Sequence, residues 1–396
     1  MGQRGRYVEG FWPGDPGGQT RRERTPGRYQ AYVPEPIADH DIAIPAALSV
    51  LLTDAEAVVR ELNMLDPARG HQMEALARQL LRQEALSSSR IEGLALSHKR
   101  ISEASYDPRG STDERAKAVL SNIEAMHEAI RVGAAERTIE VATIVGLHRT
   151  LMTSTNPGIA GKIRDRQNWI GGHWHTPLGA EFIPPPPEEV EPLMADLAEF
   201  VNRDDLPAVF QAALAHAQFE TIHPFADGNG RVGRCLIHVV LKRRGVAKRQ
   251  VPPISLLMAA DVDGYVKALT AYRDDREEEW SSYFARTAIE ASTAAEELAG
   301  QVRALQGEWR EMAGARRGSA AARIIDLLPG RPVIDVASAS RLAEVSDEAA
   351  RNALNRLEER RVVKQVGNRS WGRVWEARGL WQLLDSFERR VTKSTL

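Results

Sequence analysis

The sequence predicts a mainly α fold: a helical core with a small β-hairpin flap, followed by a C-terminal winged helix-turn-helix of α+β type. Three observations predict it. Apolar residues recur at helical spacing over most of residues 45–311, one stretch at 163–187 breaks that rhythm, and the pattern changes character after Arg316. Residues 1–30 are rich in Gly, Pro and Arg without sustained periodicity and read as a flexible lead-in. From Pro45 the spacing Leu48, Leu51, Leu52, Ala55, Val58, Val59, Leu62 is helical, and helical patterns continue through Met73–Leu86, Lys117–Val132 and Thr138–Met152. Between Ile163 and Pro187, Trp169, Ile170, Gly171, Gly172, His173 and Trp174 lead through a Leu178-Gly179 turn to Phe182, Ile183 and four prolines, which reads as the flap. Helices resume at Val190–Arg203, Leu206–Ile222 and Val232–Arg244, with more from Gly264 to Glu311. Ala320–Leu328, Val336–Ala343 and Asp347–Glu359 read as three short helices, and Val362–Val366 and Trp371–Trp375 as two strands around Gly367-Asn368. The expected division is 1–30 lead-in, 31–112 N-terminal helical module, 113–290 core, 291–315 linker helix and 316–396 winged helix.

Composition narrows the function classes. The chain has 396 residues, 43% apolar and 27% charged, with room for two or three domains. The single Cys235 forms no internal disulfide and the N-terminus has no apolar signal segment, so a cytoplasmic location is expected. No apolar run is long enough for a membrane-spanning helix, so no membrane partner is expected. The net charge of -2 is uneven: residues 316–396 carry 16 Lys and Arg against 10 Asp and Glu, leaving -8 on the first 315.

The informative stretch is His223-Pro224-Phe225-Ala226-Asp227-Gly228-Asn229-Gly230-Arg231-Val232-Gly233-Arg234. Pro224 stops the preceding helix and leaves His223 at its end, facing a loop. Gly228-Asn229-Gly230 lets the backbone take unusual dihedrals, with amides pointing out of the N-terminus of the next helix as an anion nest. Arg231 and Arg234 can share a helix face and fork onto phosphate oxygens, while Asp227 is a hard carboxylate suited to Mg²⁺. Base, cradle, cations and metal ligand point to phosphate chemistry, in which the base takes the proton of an attacking hydroxyl.

These twelve residues match in full the signature HxFx(D/E)GNGRxxR, and with the preceding Ala215–Ile222 they resemble the Fic family. The resemblance implies an adenylyltransferase that moves AMP from ATP onto a Tyr, Thr or Ser hydroxyl of a protein target or of itself, releasing pyrophosphate. It makes His223 the general base and Asp227 the Mg²⁺ ligand, places Asn229 and the amides of Gly228 and Gly230 on the α-phosphate with Arg231 and Arg234 toward the others, and gives Phe225 a packing role. Gly233 joins this nucleotide-binding set, and Tyr265, in a segment similar to one near the adenine, would contact the ring. Trp169, Ile170 and Gly171 resemble the family's target-docking flap, where a strand edge would pair with an extended target segment. Ser88-Ser89-Arg90-Ile91-Glu92-Gly93 fits the family's inhibitory pattern (S/T)xxxE(G/N). That implies Ser88, Glu92 and Gly93 on one helix, with a carboxylate competing for Arg234, and it leaves open reversal of the modification at the same site.

His148, His216 and His238 sit on apolar helical stretches and read as structural core histidines, and Cys235 as a buried thiol. In the tail, Arg351, Asn355, Arg356 and Arg360 fall about one turn apart on the third short helix, with Arg369 and Arg373 on the wing. Winged helices bind DNA and also serve as dimerisation or docking modules, so DNA and a second copy both remain expected partner classes. The alternative function is a DNA-binding regulator using the core as a nucleotide sensor, which would need Arg231 and the nest but not His223.

Overall fold

A computed structural model describes residues 5–64, 70–106, 113–173, 175–367 and 372–394. Trp174 of the expected flap, and Asn368, Arg369 and Trp371 of the expected wing, lie outside the described residues. The chain clusters into two units, each discontinuous in sequence: Met1–Glu56, Glu124–Val246 and Asp263–Arg286 form the first, and Ala57–Ile123, Ala247–Val262 and Thr287–Leu396 the second.

The first unit begins with a correction to the flexible lead-in expected at 1–30. Strands β1 (Gly5–Trp12) and β2 (Gly27–Pro34) pair antiparallel from Gly5↔Pro34 to Trp12↔Gly27. The one-turn helix α1 (Arg21–Arg24) in their connection is closed by a capping box between Thr20 and Glu23. The ladder holds because Tyr32 and Tyr29 lie across cross-strand glycines: a Cβ at Gly5 or Gly10 would sit 2.5 or 2.3 Å from their rings. Gly, Arg and Pro masked this pattern in the sequence.

Helix α8 (Ala208–Ile222) is buried at every residue. It packs against α7 (Pro187–Val201), α9 (Asn229–Arg243) and β2, and α6 (Val141–Met152) packs on α7 and α9. A helix apolar on all sides belongs at the centre of a core. Its few polar side chains satisfy backbone groups that the loops leave open. Gln211 donates to the carbonyls of Phe200, Val201 and Arg203 and accepts from Arg244, while Gln218 donates to the Glu35 carbonyl and accepts from the Tyr272 hydroxyl. The Trp280 indole donates to the Ala213 carbonyl. Helix α9 starts at Asn229, three residues before the expected Val232, because Gly228 adopts φ 81° and turns the chain directly into the helix.

In the second unit α3 (Gly70–Ile91) carries a nearly continuous run of buried residues from Leu80 to Ser89. The Glu84 carboxylate accepts from the Ser255 amide (2.8 Å) and hydroxyl (2.6 Å) at the head of α10 (Ile254–Ala260), and Asn122 donates to the Ala85 carbonyl and Ser89 hydroxyl. Helix α12 (Glu277–Ala313) supplies the segment expected as a linker helix. Beyond it α13 (Ala320–Leu327), α14 (Val336–Ala343) and α15 (Asp347–Glu359) accompany an antiparallel sheet in the order β3 (Val333–Asp335), β5 (Val374–Ala377), β4 (Val363–Gln365). This arrangement is consistent with the expected winged helix-turn-helix. It adds strand β3 and helix α16 (Leu380–Ser394), and it moves the last strand from the expected Trp371–Trp375 to Val374–Ala377, where every residue is buried.

The basic face of α15 is less available than its spacing suggested. Arg356 donates to the Ala313 and Gly314 carbonyls, and Arg373 donates to Gln365, Asn355 and Glu358. Three of the six residues expected on a DNA face, Arg356, Asn355 and Arg373, are thereby committed within the unit, while Arg351 and Arg360 are exposed. Among the described residues no helix is long and apolar enough to cross a membrane.

Candidate active site

The loop between α8 and α9 is built around His223. Helix α8 ends there with its last residue in the left-handed region, φ 50° and ψ 60°, where few side chains other than Asn, Asp and His are found. The Pro224 ring cannot continue the helix, so the chain leaves it at His223. Phe225 then turns inward and is fully buried, its ring parallel to His148 at 3.8 Å.

The Asn229 side chain closes the loop. Its Oδ1 accepts from the Phe225 amide and its Nδ2 donates to the Phe225 carbonyl, both at 2.8 Å, so the carboxamide is committed to closing the loop. The Gly228 amide likewise donates to Asp227 Oδ1 at 2.6 Å. The position needs glycine for its φ of 81°, and a Cβ there would press on Leu151 and Met152 at 3.1 and 3.2 Å. No side chain caps the first turn of α9, which starts at Asn229 and includes Gly230. An uncapped helix N-terminus is where an anion binds best.

Asp227 is 64% exposed, and its Oδ1 lies 3.7 Å from Arg231 Nη2. Arg231 and Arg234 are themselves buried. Both belong to the first two turns of α9, and the charge on Arg234 helps keep His216 neutral. Burial in the helix core is the larger cause, and the two push the His216 pKa down to about 3.

Gly233 and Tyr265, the other two residues of the expected nucleotide-binding set, are both buried. Gly233 serves the crossing of α8 and α9: a Cβ there would fall 2.3 Å from Glu220 Oε1 and 3.0 Å from the Phe219 ring. Tyr265, on α11 (Val262–Arg273), is buried, its hydroxyl 2.8 Å from His216 Nε2, and its ring clusters with those of His216 and Trp280, the three centroids 5.9–6.4 Å apart.

Three residues that the sequence reading did not assign to the site hold the loop in place. Arg164 donates from Nε to the His223 carbonyl at 2.9 Å, from Nη1 to Arg166 at 3.1 Å, and from Nη2 to Pro185 at 2.5 Å and Ile222 at 3.4 Å, while its own amide donates to Pro224. The guanidinium is buried, which pulls its pKa down to about 10. Asn168 donates to the Phe225 carbonyl at 3.0 Å. The third is His148, read as a core histidine: it is fully buried, but its Nδ1 accepts from the Gly161 amide at 3.0 Å. That acceptor role puts the ring proton on Nε2, which donates to the Asp227 carbonyl at 3.1 Å. Burial pushes its pKa down to about 4.

The flap forms as a hairpin in the same unit. Ile170 pairs with Phe182, with the Ile170 amide donating to the Phe182 carbonyl at 2.8 Å and the Phe182 amide returning the bond at 3.2 Å. Trp169 donates its indole N–H to the His173 carbonyl, and Gly171 has φ 71°. The Tyr32 amide of β2 donates to the Ile183 carbonyl, and Trp12 meets Trp169 edge to face. The N-terminal hairpin therefore flanks the 182–183 side of the flap.

In the second unit, α3 ends in a left-handed turn. The Gly93 amide (φ 76°) donates to the Arg90 carbonyl and the Leu94 amide to that of Ser89, the paired bonds of a Schellman motif. Ser88 is buried within the helix, whereas Glu92 is exposed at its C-cap. The two residues of the inhibitory pattern thus differ in environment, rather than sharing one solvated face. Among the described residues no group of three or more His, Cys, Asp or Glu is spaced to hold a metal.

The site is thus a buried helix followed by a left-handed histidine and a glycine-headed helix flanked by Asp227 and Arg231, on a helical scaffold. Residues 138–241 match the Fic/DOC family, and residues 50–131 match the N-terminal region of the Fic/DOC family. The chain is 31% identical over 140 residues to protein adenylyltransferase fic-1 of Caenorhabditis briggsae, covering 35% of this chain and 25% of that protein. It is 35% identical over 117 residues to protein adenylyltransferase Fic of Drosophila melanogaster, covering 29% of this chain and 22% of that protein. The similarity therefore spans about a quarter of the length of these relatives. Among solved structures, a Fic family protein from Desulfovibrio desulfuricans G20 superposes with TM-score 0.53 at 19% identity, covering 85% of this chain and 98% of that one. A Fic domain containing signaling protein from Bacteroides thetaiotaomicron VPI-5482 gives TM-score 0.53 at 21% identity, covering 63% and 97%.

Proposed function

We propose that this chain is an autoinhibited protein adenylyltransferase that transfers AMP from ATP to a hydroxyl side chain of a protein or of itself. The observation that carries the reading is the placement of His223 at the left-handed end of α8, directly ahead of the uncapped first turn of α9. A nucleotide sensor would need the anion-binding turn but has no use for a base held in a strained backbone.

In the proposed reaction His223 takes the proton of the target hydroxyl as its oxygen attacks the α-phosphorus. The bond to the bridging oxygen breaks, and pyrophosphate leaves with the electron pair. The amides at the head of α9 stabilise the charge that builds on the α-phosphate oxygens, and Arg231 and Arg234 balance that of the leaving pyrophosphate. Asp227 fits Mg²⁺ as a single hard carboxylate whose remaining partners would be nucleotide phosphates, and the cation would neutralise phosphate charge there. Asn229, Asn168, His148 and Arg164 contact no reacting atom in this scheme; they hold the loop. Trp169, Ile170 and Gly171 offer a strand edge to the target, and Glu92 restrains the resting enzyme. A cytoplasmic location is proposed with this activity.

The test is transfer of label to protein from ATP labelled in the α-phosphate and, separately, in the γ-phosphate, with Mg²⁺, for wild type, Glu92→Gly and His223→Ala. Label from the α position alone, raised by Glu92→Gly and lost with His223→Ala, is expected. Label from γ would overturn the reaction, and ATP binding without any transfer in Glu92→Gly would convert the chain into a sensor.

A further inference from the structure

Helix α16 reaches back within the second unit to the helix that carries the inhibitory pattern. Its residues Leu380, Trp381, Leu384, Phe387 and Val391 are buried in a stripe of helical spacing, and it packs against α4 (His98–Tyr106) and α10. At the edge of that stripe Glu388 forms an ion pair with Arg90, two residues before Glu92, and lies 3.7 Å from His98 Nε2. The carboxylate is largely buried, its side chain 12% exposed. Burial alone would raise its pKa, but the neighbouring His98 and Arg90 outweigh that and bring it down to about 2. Glu388 is therefore ionised at every pH of interest, and a buried ionised carboxylate is tied strongly to its partner.

Arg90 is bound at both ends. Its carbonyl accepts the Gly93 amide that closes the turn, while its side chain is held by Glu388. On the opposite side of α3 the last two turns are fixed by Asn122 through Ala85 and Ser89. An open cleft of about 610 Å³ lies over the pair, lined by Ser97, Asp385, Arg389 and Lys393 among others. Arg90 contributes nothing to the family-like pattern itself, which specifies only the first, fifth and sixth of its six residues.

We propose that Arg90 and Glu388 are positioning residues for Glu92, a clamp through which the C-terminal module sets the level of autoinhibition. This rests on the reading of Glu92 as the inhibitory carboxylate. With the clamp closed, the turn at Gly93 is fixed and Glu92 holds one orientation. Displacing α16, or neutralising Glu388, frees Arg90, loosens the turn and raises transfer. A partner of the C-terminal module would then act as an activator without touching the nucleotide.

The test uses the full chain and label from α-labelled ATP, in wild type, Arg90→Gln, Glu388→Gln, the swap Arg90→Glu with Glu388→Arg, Glu92→Gly, and Glu92→Gly with Glu388→Gln. Each clamp variant raises labelling on the order of fivefold or more, the lower end of typical coupling between sites. The swap returns labelling toward wild type, and Glu388→Gln adds nothing once Glu92 is glycine. Hydrogen exchange at the Gly93 and Leu94 amides quickens in Glu388→Gln. A merely structural pair would lower the melting temperature without raising labelling, and that result refutes the clamp. If Glu92→Gly raises labelling while both clamp variants stay at the wild-type level, the clamp fails and inhibition by Glu92 stands. If Glu92→Gly has no effect, the inhibitory reading fails and the clamp with it.

Discussion

Replacing Arg164 with alanine tests whether the motif loop is held from outside the motif. The side chain makes three hydrogen bonds of 3.1 Å or shorter, to the His223, Arg166 and Pro185 carbonyls. At the low end for charge-assisted bonds, about 1.5 kcal/mol each, they contribute about 5 kcal/mol. Against this stands the cost of burying the guanidinium, whose pKa falls from 12.5 to about 10, or about 3 kcal/mol at 1.36 kcal/mol per unit. The loss in Arg164→Ala therefore lies between about 2 and 5 kcal/mol, a fall of about 4–10 °C in melting temperature. The activity loss should be disproportionate. His223 occupies a backbone region that costs about 1–2 kcal/mol, and the bond to its carbonyl is one of the contacts that hold it there. Once freed, the loop can relax and displace the imidazole, and a shift of about 1 Å costs on the order of 100-fold. The assay is initial rate of label transfer from α-labelled ATP in the Glu92→Gly background, alongside thermal melts. Arg164→Lys keeps the charge but not the fork, and it should fall nearly as far. An Arg164→Ala protein with wild-type melting temperature and rate would refute the reasoning.

Asn229→Ala removes both bonds to the Phe225 backbone and leaves a buried amide and carbonyl without those partners; the expected loss is about 2–4 kcal/mol, read by urea unfolding, with transfer abolished. Stability should also fall with acid through His148. Its folded pKa of about 4 lies below the ordinary 6.5, so the unfolded chain binds the proton first; the contribution is complete above pH 6.5 and is lost as pH falls toward 4. At pH 5 that is about 2 kcal/mol, and urea unfolding at pH 7 and pH 5 should show a smaller drop in His148→Phe than in wild type.

The motif at 223–234 was legible because its parts are contiguous: histidine, helix stop, carboxylate, glycines and arginines occupy one short stretch of chain. Arg164 and Asn168 were not, since their partners are backbone carbonyls, which no residue pattern marks. The only available signal was indirect: the carbonyls at the end of α8 need donors, and Pro224 has no N–H to supply. The burial of Tyr265 and Gly233 was not legible either, because likeness to a motif does not say which side of a helix faces the core. The hairpin of β1 and β2 was missed because its glycines read as disorder, whereas the rings of Tyr29 and Tyr32 require them. The helical core, by contrast, followed from apolar spacing alone, because α8 to α9 bury continuous faces.

The left-handed backbone at His223 also bears on how such a chain can change over generations. The residues that best tolerate φ 50° besides glycine are Asn, Asp and His itself, and both Asn and Asp are one nucleotide away from a histidine codon. A single nucleotide change can therefore replace this imidazole while the backbone of the loop, the helix stop and the first turn of α9 keep their form, so the shape of the loop and the chemistry of its side chain are separable under mutation.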